Sequence, residues 1–228
     1  LAGVMMLTML AGCGEKEETA ADNQAGEQTE QTDPNAATDP LEGLTDEEKQ
    51  MVLGKDLREF DQLLSGKHTA TLVIKDEGTV KLELDADQAP ITVTNFAELA
   101  NSGFYDGLVF HRIMPGTFLQ GGDPLGNGLG GPGYAIKGEF ANNGVQNSVS
   151  HTKGAISMAR GQGYDSAGCQ FFIMCDECTY YDGDYAAFGH VFEGQELLDR
   201  ISNEAQLTDW NGTVAAGAQP VIESIRVD

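Results

Sequence analysis

Residues 110–123 read FHRIMPGTFLQGGD. Two short apolar runs flank Pro115-Gly116, a pair that favours a turn, so the stretch predicts short strands at 108–113 and 117–120. Arg112 sits inside the first. A guanidinium among apolar neighbours is costly unless something pairs with it. Its presence therefore points to a task rather than to packing.

Outward from this stretch the pattern stays mostly β. In TVKLELD, Val80, Leu82 and Leu84 alternate with Lys81, Glu83 and Asp85, which predicts a half-buried strand. Asp76-Glu77-Gly78 turns the chain back from TATLVIK and makes a hairpin. Pro90 introduces a helix near 92–102 with Val93, Phe96, Ala97 and Ala100 on one face, ended by Gly103. Further strands are expected at 154–159, 170–174 and 186–191, and a helix at 194–203 with Leu197, Leu198 and Ile201 inward. PVIESIRV closes the domain as a last strand. Many short strands, Gly-rich turns and two helices predict a mainly β fold, a closed antiparallel barrel capped by the helices.

The first 66 residues differ. LAGVMMLTMLAGCG is apolar and ends in small residues and a cysteine, like the end of a signal peptide. Leu10-Ala11-Gly12-Cys13 resembles the bacterial lipobox, which implies cleavage after residue 12 and a lipid on Cys13. Stable anchoring takes more than one acyl chain, as a di- or triacylated cysteine would supply. This predicts a bacterial cell-membrane protein, lipid-anchored on the extracytoplasmic face. Residues 14–40 hold no Val, Ile, Leu, Met, Phe, Trp or Tyr. Such a segment cannot offset its ordering entropy, so 13–44 is expected to be a disordered acidic tether. Thr45 and Glu48 form a capping box, and Leu53, Leu57, Phe60 and Leu64 recur at helical spacing up to Gly66. An amphipathic helix over 45–66 is expected, its stripe either docked on the domain at 67–228 or left to pair with a partner or fray.

The net charge of −23 is shared: 1–66 hold 4 Lys/Arg against 15 Asp/Glu, and 67–228 hold 9 against 21. With both parts acidic, a nucleic-acid partner is excluded, because phosphate binding needs a basic face.

FHRIMPG…QGGDP, then GAISMAR, CQFFI, YDG and FGHV in that order resemble the cyclophilins, the cyclosporin-binding peptidyl-prolyl isomerases. The resemblance covers about 68–228. It implies an eight-stranded antiparallel barrel with a helix at each end and a substrate groove on the outer surface. It also implies proline-containing polypeptide substrates, a monomer and no cofactor. Arg112 and Gln120 take the catalytic positions. Phe118, Met158, Ala159, Gln170, Phe172, Tyr180, Phe188 and His190 take the substrate-binding ones, and Tyr185 falls where others carry histidine. The chain departs from the family at Thr117-Phe118, where either the pocket phenylalanine has become threonine or Phe118 has taken over. Arg160 and Cys169 replace the usual asparagine and serine.

The chemistry gives Arg112 a task independently. Rotation about an X–Pro bond is opposed by amide resonance, with a barrier of about 18–20 kcal/mol. A twisted imide loses that resonance, and its nitrogen accepts hydrogen bonds better. A fixed guanidinium would stabilise the twisted state over the planar one. The alternative is a non-catalytic chaperone or scaffold module that binds proline segments.

Other motifs are read as structural. His111 is expected to be buried, and His68 and His151 to lie at turns or the surface. The four histidines lack metal-ligand spacing, so no metal is expected. GNGLGG at 126–131 matches a dinucleotide fingerprint, but Pro132 follows where the helix should begin, so a surface loop is expected. Cys175 and Cys178 form a lone CxxC, read as reduced thiols or a local disulfide. Strand alternation places Phe171 and Phe172 on opposite faces.

Overall fold

The computed structural model describes residues 43–46, 49 and 56–228. Residues 1–42, with the expected signal remnant, Cys13 and most of the tether, lie outside the described residues, as do Glu48 and Leu53. The strands are β1 (Lys67–Ile74), β2 (Gly78–Asp85), β3 (Arg112–Met114), β4 (Phe118–Gly121), β5 (Ala155–Met158), β6 (Phe171–Met174), β7 (Ala187–Glu193) and β8 (Ile222–Val227). The helices are α1 (Pro90–Asn101) and α2 (Gln195–Glu204).

The strands form one antiparallel sheet of order β3-β4-β6-β5-β7-β2-β1-β8. Register shifts at Val73/Ile74, Lys81/Leu82 and Ile156/Ser157 let it curl. Its two edges meet at an isolated bridge, Val109 to Val221. There the Phe110 N–H donates to the Pro220 carbonyl at 2.9 Å and the Ile222 N–H to the Leu108 carbonyl at 2.7 Å. The result is a mainly β half-barrel with two helices, the expected architecture with a short seam in place of a full closing ladder.

Alternation does the sorting. Ala70, Leu72 and Ile74 of β1 and Val80, Leu82 and Leu84 of β2 are all buried in the interior. Phe171 lies edge-on to Phe96, Tyr105 and Phe110, with centroids 5.5, 5.5 and 6.1 Å away. Such edge contacts suit the ring quadrupoles. β6 is buried on both faces: Phe171 and Ile173 point inward, while Phe172 and Met174 join a second, outer cluster with Phe118 and Ala155.

Helix α1 starts at Pro90, but Ala89 offers no side-chain cap. The buried Glu139 carboxylate substitutes from far along the chain, accepting from the Ile91 N–H at 3.0 Å and the Thr92 N–H at 2.7 Å. An acid at a helix N-terminus also complements the dipole.

The helix expected over 45–66 does not extend through 56–66. Asp46 and Lys49 are helical, and the Lys49 N–H donates to the Thr45 carbonyl at 2.9 Å. From Asp56 the chain is instead an irregular arm. Leu57 bridges Ala135 in parallel, the Leu64 N–H donates to Thr94 Oγ1 at 2.9 Å, and the Gly66 N–H to the Asp87 carboxylate at 2.7 Å. Phe60 and Leu64 pack on the core while Leu57 stays 52% exposed. Distant partners for the backbone outweighed the 3–4 spacing.

Candidate active site

The sheet register builds the site. Arg112 pairs with Gln120, Gln120 with Phe172, and Phe172 with Ser157. Directly paired residues share a face, so these four lie in one row on the outer surface. Met114, Phe118 and Met174 make the next row.

Arg112 is held at two points. Its Nε donates to the Asn211 carbonyl at 2.8 Å and one terminal nitrogen donates to Gln120 Oε1 at 3.2 Å. The guanidinium lies over the Phe118 ring, 5.1 Å from its centroid. Its other N–H groups have no hydrogen-bond partner among the described residues. Gln120 Nε2 donates to Gln170 Oε1 at 3.0 Å, and Gln170 Nε2 to the Gly128 and Gly130 carbonyls at 3.0 and 2.8 Å. Buried Asp123 shapes the loop that carries those carbonyls, accepting from the Leu125, Asn127 and Gly128 N–H groups. The 126–131 glycines thus form a loop of the site with no helix after it. Gly122 precedes this loop at φ +82°, where a Cβ would sit 2.7 Å from the Cys169 carbonyl oxygen. Only glycine fits there.

The apolar floor beside Arg112 is Phe118 against Phe172, ring centroids 5.6 Å apart, with Ala159, Met114, Tyr181 and Tyr185 around them. Phe118, not Thr117, is the side chain in this floor, and Thr117 lies in the preceding turn. Tyr180, 62% exposed, extends the rim through Tyr181. Across Gln170 lies a cavity of about 300 Å³ lined by Gly130, Pro132, Tyr134, Ala159 and Arg160 among others. Arg160 is wedged there, donating to the Asp184 carbonyl at 2.8 Å with its guanidinium 4.8 Å from the Tyr185 centroid.

Three expected contacts are not in the groove. Met158 pairs with interior Phe171 and is itself core, 1% exposed. Phe188 is fully buried with its ring 5.2 Å from Phe96. His190 lines a separate polar cleft with Lys67, Glu83 and Ser150, and its Nε2 lies 3.1 Å from Thr152 Oγ1. Strand alternation turns Met158 and Phe188 inward, whereas His190 pairs with Ala155 and Glu83 on the outer face but stands on β7, beyond β5 and away from the Arg112 row.

His151, expected at a turn or surface, is fully buried. It stacks on Phe172 at 5.9 Å, with Nδ1 2.7 Å from an Asp182 oxygen and Nε2 2.9 Å from Ser157 Oγ. It braces the floor from behind. Burial pulls its pKa below the ordinary histidine value, against the pull of Asp182. Sequence reasoning also missed Tyr181 and the Asn211 carbonyl. The aromatic run Tyr180-Tyr181 was a signal for the first; nothing signals the second.

His111 is buried as expected, and burial lowers its pKa. Cys169, Cys175 and Cys178 are free thiols. Cys175 packs in the interior and Cys178 against the outer cluster, so the CxxC points to two sides of the sheet. Burial pushes the Cys175 thiol up to about 11. Among the described residues, no group of three or more His, Cys, Asp or Glu is arranged to hold a metal, and no helix is long and apolar enough to cross a membrane.

Residues 69–227 match the family model described as cyclophilin type peptidyl-prolyl cis-trans isomerase/CLD. Peptidyl-prolyl cis-trans isomerase B of Bacillus subtilis (strain 168) is 44% identical over 135 residues, 59% of this chain and 91% of that protein. A peptidyl-prolyl cis-trans isomerase of Synechococcus elongatus is 40% identical over 149 residues, 62% of this chain and 98% of its own. In structure, a cyclophilin type isomerase of Cryptosporidium parvum superposes with a TM-score of 0.63 at 27% identity, covering 72% of this chain and 98% of the other. The arginine-glutamine row over an aromatic floor thus lies on a sheet shared with enzymes of one kind, and the chain belongs to the cyclophilin type peptidyl-prolyl cis-trans isomerases.

Proposed function

We propose that this chain is a lipid-anchored prolyl isomerase, held through Cys13 on the extracytoplasmic face of a bacterial membrane, where it speeds X–Pro rotation in polypeptides. It works as a monomer. The observation that carries the mechanism is the two-point hold on Arg112. With Nε on the Asn211 carbonyl and one terminal nitrogen on Gln120, the guanidinium is fixed over Phe118 with donors to spare. A proline ring resting on Phe118 and Phe172 would bring its imide under those donors. They strengthen as the nitrogen loses conjugation, which lowers the barrier without any proton transfer. Gln120 and Gln170 would hold the backbone on either side. A structure of the Cryptosporidium protein solved in the presence of the dipeptide Ala-Pro supports the substrate class. The Leu10-Ala11-Gly12-Cys13 motif and the acidic, apolar-poor segment after it support the anchor.

The test is cis–trans exchange of an Ala-Pro peptide by NMR with the wild type, Arg112→Ala and Arg112→Lys. Strong acceleration by the wild type, falling roughly 100- to 1,000-fold in Arg112→Ala and only slightly rescued by lysine, is expected. Exchange that is equally fast without the arginine removes it from the mechanism. If no protein accelerates exchange yet the peptide resonances shift, the groove binds without turnover. The anchor has its own readout. Cys13→Ser should leave the membrane fraction, and a wild type that is fully soluble after maturation refutes it.

A further inference from the structure

Trp210 is the chain's single tryptophan and, at 81%, the most exposed large apolar side chain among the described residues. It lies between α2 and β8, directly before Asn211, whose carbonyl anchors Arg112. Its turn is tightly tied. The Asp209 carboxylate accepts from the Asn211 N–H at 2.9 Å, the Thr213 N–H at 3.1 Å and the Thr213 hydroxyl at 2.8 Å. The Ile113 N–H donates to the Gly212 carbonyl at 2.8 Å. Gly212, at φ +86°, sits so close to β3 that a Cβ would fall 2.3 Å from the Ile113 oxygen and 2.9 Å from Met114 Sδ. Met114 in turn packs on the Phe118–Phe172 cluster.

The indole is thus carried on a fixed turn continuous with the groove. In the run of hydrogen bonds from Gly130 through Gln170 and Gln120, Arg112 stands between the cavity and this turn. A polypeptide laid across Arg112 that covers the cavity with one flank brings the other toward Trp210. A large aromatic on an ordered turn gives contact area at little entropic cost, and tryptophan is over-represented among residues that dominate binding. Among the described residues, no packing accounts for it.

We propose that Trp210 is a specificity-determining contact that takes an apolar or aromatic side chain flanking the substrate proline, on the side of Arg112 away from the cavity. The proposal rests on the reading of the Arg112 groove as the isomerase site.

The test uses the full chain and three peptides: alanine on both sides of the proline, phenylalanine before it, or phenylalanine after it. With one tryptophan, indole emission reports the contact directly. One phenylalanine peptide should shift the wild-type emission to the blue, and the alanine peptide much less. Trp210→Ala should raise KM roughly fivefold for that phenylalanine peptide, leave its kcat unchanged, and leave the alanine peptide's turnover unchanged. Trp210→Phe should restore most of the preference. Unshifted emission with all three peptides, or the same phenylalanine preference in Trp210→Ala, overturns the proposal. Failure of the isomerase reading shows separately, as a wild type that does not turn over the alanine peptide, while the emission experiment still tests the contact.

Discussion

Arg58 donates to the Tyr134 hydroxyl at 2.8 Å and its guanidinium lies 4.9 Å from the centre of that ring. Arg58 belongs to the arm that precedes the family domain, and Tyr134 lines the cavity beside Gln170. The Tyr134 hydroxyl donates onward to Asn95 of α1 at 2.8 Å. The arm therefore braces a wall of the site as well as covering core. Arg58→Ala should cost about 1 kcal/mol in a denaturant titration, the scale of one hydrogen bond with partial exposure. In a double-mutant cycle with Tyr134→Phe the two losses should be less than additive. Strict additivity would show that the contact contributes nothing.

The Gln120 amide joins Arg112 to Gln170. Gln120→Leu removes both bonds while roughly keeping shape, so kcat/KM for an Ala-Pro peptide should fall about 10- to 100-fold, matching the loss of a hydrogen bond to a charged group. Unfolding midpoints should move little, since Gln120 is only half-buried. An unchanged kcat/KM would mean Asn211 alone positions the guanidinium.

Phe118 and Thr117 make opposite expectations. Phe118→Ala should destabilise by about 3 kcal/mol or more and abolish most turnover, because the ring is both buried and the floor under Arg112. Thr117→Ala, in the turn, should leave kcat within a factor of about two. Reversed sensitivities in a stability and activity comparison would move the pocket position to Thr117.

Three histidines carry lowered pKa values, with burial the largest cause in each: His111, His151 and His190. A base whose folded pKa is depressed binds protons better when unfolded. Its contribution is complete above about pH 6.5 and is lost as pH falls through the folded values. Thermal midpoints should therefore drop as pH falls below about 6.5. Glu139, raised by burial, acts in the opposite direction at lower pH. His151→Gln should flatten the slope, and a level profile in the wild type would contradict the buried neutral state of these rings.

The thiols should react in order of access. Cys178 is half-buried, whereas Cys169 and Cys175 are 1% and 5% exposed and burial raises the pKa of both. Alkylation of native protein at pH 8, mapped by mass spectrometry, should label Cys178 among these three and reach the others only after unfolding. Equal labelling in the native state would overturn the opposed arrangement of the pair.

The sequence by itself determined the β framework and the chemistry it displays. Alternation in TVKLELD, Pro90 before a helix and the opposed faces of Phe171 and Phe172 each follow from local geometry and hold in the structure. Arg112, Gln120, Gln170, Phe118 and Phe172 also come together as neighbours, because β-register converts short spacings into adjacency. Tertiary structure decided the rest. β5 and β6 are buried on both faces, so apolar content could not say whether Met158 met the interior or the groove. Phe188 and His190 depended on how β7 sits against α1 and β2. His151 came to the floor through Asp182 and Ser157, distant or local partners that no spacing rule ranks. The arm at 56–66 satisfied helical spacing yet took its backbone bonds from Ala135, Thr94 and Asp87. Arg112 is fixed by a carbonyl, and every residue carries one, so only the fold could choose Asn211.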